Sequence, residues 1–407
     1  MKPLSAHALG ACALALCTLV PGAAAHAHGG IWRANQILVA PDDPGRIVLQ
    51  SSLRGPIFSS DAGARWQWMC AETYGQSSLS ASPVAMLLRP NGRVLVAGYT
   101  RGLLISDDAF CSFRAPEGPA LSWTRDLAVD AEGIVALAST EVGDNVQDVL
   151  LRSRDEGARF EVLGAPLPGD FIARGVDASH GAAPRLYVTG LRDDGWALAH
   201  SDDGAVTWTF GAVVPFNVRV GWNPTLVGVG RDDPSLVFVL RDENELSVDE
   251  SQDALFVSTD GGASFRVLYA DGRALRGFAQ SPDGKSLLLA GESGLFHAPV
   301  SDALARGKGA FTQRVSTPFY GLSWTHAGVH AGMEEFSVTS PDAYSVGLST
   351  DEGRTFARRM AICETRAATC ATETDGATLC PEVFSDLGRT GGGFKEDFLD
   401  GNRCAPP

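Results

Sequence analysis

Apolar residues in this chain come in short β-rich runs separated by polar turns. The stretches "RVLVAGYTRGLLISDD" from Arg93, "LYVTGLRDDGWALAHSDD" from Leu186 and "SLLLAGESGLFHAPVSD" from Ser286 each hold two such runs around a turn. A polar corner follows, then a third run such as "FRVLY" from Phe265, and a fourth run such as "RDLAVD" or "RGFAQS" precedes the set. The pattern predicts four strands, each joined to the next by a tight turn.

The corner itself recurs as S-x-D-x-G-x-x-[W/F]. Four copies are intact: Ser59/Asp61/Gly63/Trp66, Ser153/Asp155/Gly157/Phe160, Ser258/Asp260/Gly262/Phe265 and Ser349/Asp351/Gly353/Phe356. Two are altered: "SDDAFCSF" has Phe110 in the glycine position, and "SDDGAVTW" has Gly204 one place early. A seventh trace runs from Ser301 to Phe311. Ser and Asp side chains can bond nearby backbone N–H groups, Gly admits positive φ, and the ring is expected to fold under its turn to cover apolar surface. The serines stand at 59, 106, 153, 201, 258, 301 and 349, a period near 48. Four strands in about 45–50 residues make one propeller blade, and seven blades close a ring. The expected fold is all-β: a seven-bladed β-propeller over residues 31–362, with blades near 31–70, 71–116, 117–165, 166–214, 215–269, 270–315 and 316–362. A small cysteine-rich appendage, 363–407, follows, in which the strand pattern stops.

These boxes resemble the Asp-box (BNR) repeats of sialidases, sortilin-type receptors, xyloglucan-degrading hydrolases and photosystem II assembly-factor propellers. The resemblance covers roughly residues 31 to 362. It implies that the box joins the third and fourth strands of a blade, on the face opposite the binding site, and that the boxes are structural. Function is then expected at the other face. The short loops there carry Arg54, Tyr99, Arg101, Arg192, Asp193 and Asp194, and two longer ones carry Glu141, Asp144 and Asp148, and six carboxylates between Asp242 and Asp253. The acidic loop lacks the D-x-[DN]-x-[DN]-G spacing of a calcium site, so no metal is expected. The starts of the innermost strands bring Trp123, Arg125, Asp126, Arg174, Trp222, Arg276, Tyr320, Trp324 and His326. Arginine forks recognise carboxylates and exposed rings stack on sugars or peptide groups. With Arg54, Arg101 and Arg192, these residues form the expected binding mouth.

The resemblance to sialidases implies an F/Y-R-I-P motif in the first blade and a Tyr–Glu nucleophile pair. The first blade reads "IWRANQILVAP", with Arg33 but without the motif, and no Tyr–Glu pair is assignable. His326 and His330 lie four apart but without the Glu of HExxH, so they read as ordinary polar residues. The reading is therefore a non-catalytic propeller, without cofactor, that binds a protein or glycan and is expected to be a monomer. A sialidase-like glycoside hydrolase is the alternative.

Composition changes this picture little. Of 407 residues, 44% are hydrophobic and 46 are Gly, as suits a turn-rich globular protein, and the net charge of −15 argues against nucleic acid as partner. The N-terminus matters more. Lys2, the apolar run "ALGACALALCTLV" and the small residues of "PGAAAHAHGG" form a signal peptide over residues 1–27, cut after Ala25 or Ala27. No later run is long enough to span a membrane. Export makes the six remaining cysteines, Cys70, Cys111, Cys363, Cys370, Cys380 and Cys404, candidates for disulfides. Cys70 lies four residues past Trp66, and Cys111 sits inside the second box. A Cys70–Cys111 bridge joining blade 1 to blade 2 is expected, with the other four pairing within the tail.

Overall fold

The computed structural model describes residues 34–387, apart from 42, 52–54, 77–83, 99–100, 122, 143–144, 182–183, 193–194, 212–224, 242–252, 334–344 and 362–364. The expected signal peptide, Arg54, Tyr99, Asp144, Asp193, Asp194, Trp222, most of the acidic loop, Cys363 and Cys404 lie outside the described residues.

Seven antiparallel sheets follow one another along the chain. Their innermost strands are Ala34–Ala40, Met86–Leu88, Trp123–Asp130, Phe171–Ala178, Thr225–Val229, Leu275–Gln280 and Leu322–Thr325. Successive inner strands touch, and the first lies against the last, so the ring is closed. The expected seven-bladed propeller is what forms. Blade 2 has three full strands, and an isolated bridge between Ile105 and Arg114 stands where its outer strand would be. The core is a series of apolar seams between blades, such as the one joining Leu137, Leu150, Val176 and Val188.

Six corners share one hydrogen-bond pattern. Ser59 Oγ donates to Asp61 Oδ1 at 2.9 Å and accepts from the Gly63 N–H at 2.9 Å, while Asp61 Oδ1 accepts from the Arg65 N–H at 2.8 Å. The corners at Ser106, Ser153, Ser201, Ser258 and Ser349 repeat it. Two consecutive residues in each take left-handed φ: Ala62 and Gly63, Ala109 and Phe110, Glu156 and Gly157, Gly204 and Ala205, Gly261 and Gly262, Glu352 and Gly353. The displaced glycine of blade 4 is thereby explained, because Gly204 occupies the first of two left-handed positions. Phe110 is the costly case, at φ 71° with a bulky side chain. Its buried ring lies 5.4 Å from Phe58 of blade 1 and 6.1 Å from Phe113, and that packing offsets the backbone strain.

The box rings fold under their turns, as Trp66 does beneath Gly63, and they also reach the preceding blade. Phe160 of blade 3 is buried in a seam with Leu95, Ala97 and Ile105 of blade 2. Phe265 of blade 5 meets Trp196 of blade 4 edge-on at 5.9 Å. Phe356 of blade 7 is only partly buried; it stacks at 5.0 Å on Phe319, in a seam shared with Leu288 and Leu295 of blade 6. The physical reason is that a blade's sheet is one layer thick, so the ring is covered between its own sheet and the neighbouring one. Phe160 and Phe356 are therefore interblade packing residues. The seventh trace is not a corner of this kind. Residues Val300–Arg306 form a helix, α1, and Gly307–Ala310 a 3₁₀ turn that delivers Phe311 to within 5.0 Å of the Tyr269 ring.

The disulfides correct the sequence reading. Cys70 pairs with Cys380 and Cys111 with Cys370, so no Cys70–Cys111 staple exists, and Cys370 and Cys380 do not pair within the tail. The tail also leaves the last blade. Strand Thr365–Ala367 adds in parallel to Trp66–Trp68 as a fifth strand of blade 1, Cys370 just after it is bridged to Cys111 of blade 2, and Cys380 of helix α2, Asp375–Leu387, is bridged to Cys70 of blade 1. Cys70 lies beyond the outer strand and Cys111 in the corner turn, and the tail helix crosses between the two. Gly376 packs against Cys111, where an added Cβ would come within 3.2 Å of its Cα, and the Gly376 N–H donates to Cys111 O at 2.8 Å.

Two outcomes test this description. Ala62→Gly, which removes a Cβ at φ 58°, is expected to stabilise by about 0.5 kcal/mol. Phe110→Gly is expected to destabilise by about 3 kcal/mol despite easing its backbone, and thermal melts compare the pair. Cys70 and Cys380 are 310 residues apart, for which the chain-entropy model gives a ceiling of about 6 kcal/mol. Replacing Cys370 and Cys380 together by Ser should lower the melting temperature by about 5–10 °C. Non-reducing peptide maps should join Cys70 to the peptide holding Cys380, and a Cys70–Cys111 peptide would contradict the clasp.

Candidate functional site

Alternation of strand direction decides which loops share a face. In each blade the turn between strands one and two lies at the same end as the box corner. The start of strand one and the connection between strands two and three therefore lie at the other end. That end gathers Arg101, Trp123, Arg125, Arg174 and Arg192. His326 is elsewhere: it sits in the turn between Leu322–Thr325 and Gly328–Gly332, at the box end. Trp324, at that end of its strand, lies half-buried, 6.4 Å from the His297 ring. Tyr320 is at the mouth end but buried, 6% exposed. The structure does not bring these three into the open mouth.

The arginines owe their placement to β-bulges. The register of the inner strands shifts between Thr124 and Asp126, Ala173 and Gly175, and Leu275 and Gly277. The extra residues are Arg125, Arg174 and Arg276, and a bulge re-aims the side chain it carries. Each arginine then meets a different fate. Arg125 donates to Asp148 Oδ1 at 2.5 Å and to Ser139 Oγ at 2.7 Å, with its guanidinium 5.9 Å from the Trp123 ring centre. Arg276 is half-buried and engaged. Arg174 is exposed, with no hydrogen bond or ion pair among the described residues. Arg192 bonds Asp170 Oδ2 at 2.8 Å and lies 4.3 Å over Phe210. Arg101 is exposed and rests its stem against Gly75, where an added Cβ would come within 2.2 Å of Arg101 Cδ.

Two apolar side chains missing from the sequence reading join this face. Trp123 is 45% exposed, and Ile172 and Val146 in neighbouring strands are 50% and 54% exposed. Only knowledge of which face of each strand meets a neighbouring blade could have separated Ile172 from its buried neighbours Phe171 and Ala173.

The carboxylates here brace the scaffold. Asp148 Oδ2 accepts the Ala173 N–H of the next blade at 3.0 Å, and Asp253 Oδ2 accepts the Leu275 N–H at 2.8 Å, each beside a bulge. Asp126 accepts the Leu127 N–H and, from blade 4, the Val176 N–H, both at 2.8 Å. Gly175 leaves the room, since an added Cβ would stand 3.2 Å from Asp126 Oδ2. The residue keeps partial solvent contact, but its carboxylate is ringed by protein, and burial pushes it up to about 7. Burial likewise pushes Asp177 up to about 6. His330 is buried and driven down to about 4 by burial and the Arg359 charge. No cluster of three His, Cys, Asp or Glu suited to a metal occurs among the described residues.

These shifts set a pH dependence. A carboxyl whose folded pKa is raised holds its proton longer in the native state, so its ionisation destabilises as pH climbs from about 4 to 7. The box aspartates act oppositely. Asp203 is held down to about 2 by the Thr207 hydroxyl, and the Arg65 guanidinium lowers Asp61, so their contribution fades below pH 4. Stability should therefore peak near about pH 4–5. Asp126→Asn keeps an acceptor for Val176 and should stabilise by about 1–3 kcal/mol at pH 8 but not at pH 4, as read from melts across that range.

No protein-family model and no curated protein matches the chain. Among solved structures, hydrazine synthase of Kuenenia stuttgartiensis is similar at a TM-score of 0.50 and 14% identity, covering 81% of this chain and 99% of that one. YCF48 from Cyanidioschyzon merolae is similar at 0.46 and 12%, covering 74% and 96%. The GH74 xyloglucanase from Xanthomonas campestris is similar at 0.44 and 15%, covering 80% of this chain and 60% of that one, so the chain spans under two thirds of that enzyme. At these identities the likeness is one of fold.

Proposed function

We propose that this chain is an exported, non-catalytic propeller that binds a protein or glycan through the face opposite its box corners. One contrast carries the reading. The exposed groups at this end of blades 2 to 4 include Arg101, Trp123, Ile172 and Arg174, which offer cations and apolar surface; of the acids, Asp126 and Asp148 are occupied as backbone acceptors, Asp170 is paired with Arg192, and Glu141 is exposed but engaged. A hydrolase needs two carboxyl groups facing substrate across a cleft, whereas a binding face needs exposed anchors of the Arg and Trp kind. Two disulfides fit an oxidising compartment. Among the described residues no helix is long and apolar enough to cross a membrane.

The glycoside hydrolase reading keeps one supporting observation: Asp126, with a carboxyl pushed to about 7, would suit a general acid. A glycan array and a capture experiment from the native envelope, run with wild type and with a Trp123→Ala/Arg174→Ser variant, separate the readings. The variant is expected to lose the captured ligand by about tenfold or more while melting as wild type does. Turnover of chromogenic glycosides by wild type, abolished in Asp126→Asn, would reverse the assignment.

A further inference from the structure

Two carboxyl groups bear on the inner strand of blade 4, Phe171–Ala178. Asp126 reaches it from blade 3 and accepts the Val176 N–H at 2.8 Å. Asp177, on the strand itself, accepts the Ala178 N–H at 2.8 Å and lies against Val229 of blade 5. The charge of Asp177 acts on Asp126, so the two share one enclosed space. Other joints of the ring use amides for the same reach. Gln50 Nε2 donates to Val84 O, and Gln280 Nε2 of blade 6 donates to Val229 O, both at 2.9 Å. A glutamine amide does not titrate, whereas a carboxyl does. The reach into and out of blade 4 is thus made through groups that can change charge.

A partner for the ionised state stands close by. Arg231, two residues past Val229, is half-buried, and its side chain has no hydrogen bond or ion pair among the described residues. Its Nε is enclosed by protein, and its stem packs over Gly284 of blade 6, where an added Cβ would lie 3.1 Å from Arg231 Cβ. The Arg231 charge nonetheless reaches Asp177 and favours its ionised form. The other charged groups around the strand are committed elsewhere. Arg125 is bonded to Asp148, Arg192 to Asp170, and Asp130 to Arg152 at 2.6 and 2.8 Å. His180, just past the strand, is kept from charging by burial and by Arg231, and Arg174 is exposed.

Burial disfavours the charged form of a carboxyl, and a second carboxylate in the same enclosure disfavours it again. Burial pushes Asp177 up to about 6 and Asp126 up to about 7. A local opening that gives both groups to water restores their ordinary acidity. Opening is therefore favoured as pH rises through those values and suppressed below them. An enclosed guanidinium N–H without a partner is costly, and a turn of Asp177 toward Arg231 removes that cost. We propose that the inner strand of blade 4 is a pH-sensitive element, shut while Asp126 and Asp177 hold their protons and loosened when both release them to solvent and Asp177 turns to Arg231. The same strand carries Ile172 and Arg174, so where the mouth reading holds, ambient pH acts on the contact surface.

Hydrogen exchange on the full chain, read by mass spectrometry at about pH 5 and about pH 8 and corrected for intrinsic exchange, tests it. Protection across Phe171–Ala178 is expected to fall by about tenfold or more between the two, since linkage adds up to about tenfold per pH unit for each group. The opening should be nearly independent of low urea, as a local event is, whereas Ser286–Gly291 of blade 6 should exchange faster as urea is added. Asp126→Asn should remove most of the loss. Arg231→Met should move its midpoint up by about one pH unit, because Asp177 then lacks the cation that favours its charge. The assignment is overturned if protection across Phe171–Ala178 is the same at both pH values, if it follows urea as blade 6 does, or if neither variant alters its pH course. None of these readouts involves a ligand, so the mouth reading stands or falls separately.

Discussion

A ring of sheets has one joint that the chain does not cross by continuing into the next blade, the joint between last and first. Everything else in the molecule depends on that joint staying shut. Here the four antiparallel strands of each blade at the joint come from one contiguous segment, and the strand that follows blade 7 is added only at the outer edge of blade 1. Closure rests on other contacts. Val346 and Met360 of blade 7 are buried in the apolar cluster of blade 1, Trp66 reaches across to Arg359 O, and the terminal strand adds to the outer edge of blade 1. Beyond it the Cys70–Cys380 and Cys111–Cys370 bridges tie the tail to blades 1 and 2. The clasp thus spans the joint from outside, where a covalent link does not disturb the inner strands.

Within the ring a second device sets the positions of the inner strands. A bulge leaves a backbone N–H without its ladder partner, and an unpaired buried donor is costly. Asp148 and Asp253 reach from one blade to accept such donors in the next, and Asp126 does the same one residue further on. The bulges turn arginines toward the mouth, and the carboxylates hold the bulges. Scaffold and candidate site are one arrangement. It follows that Asp126, Asp148 and Asp253 have a structural reason to be there, and that the groups offered to a partner include Arg174 and the apolar side chains Trp123 and Ile172.

The box corners show how far local chemistry reaches. Ser, Asp and two left-handed residues recur in six blades with the same hydrogen bonds, whether or not glycine stands where the pattern asks for it. At Phe110 the ring's burial against Phe58 of the neighbouring blade outweighs the local preference. Phe160, Phe265 and Phe356 keep the regular turn and pack on the preceding blade in the same sense. In blade 6 a helix replaces the corner altogether, and its aromatic residue still reaches the apolar seam. The seam demands a ring at that place more strictly than it demands a particular turn.

Features that depend on near neighbours were legible from the chain: seven repeats, the strand runs, the box turns and the arginines near the starts of the inner strands. These follow from spacing, side-chain alternation and hydrogen bonds that span a few residues. What depends on residues far apart emerged only in the assembled ring. Folding paired cysteines 310 and 259 positions apart, carried the tail past the last blade to the first two, and buried Tyr320. It sent the rings of Phe160 and Phe356 across to a neighbouring sheet. It also left Arg174 open while engaging Arg125, although both occupy the same kind of bulge. The pairing of a cysteine or the exposure of an arginine is set by which blade lies opposite at which height. That relation arises only when the ring closes.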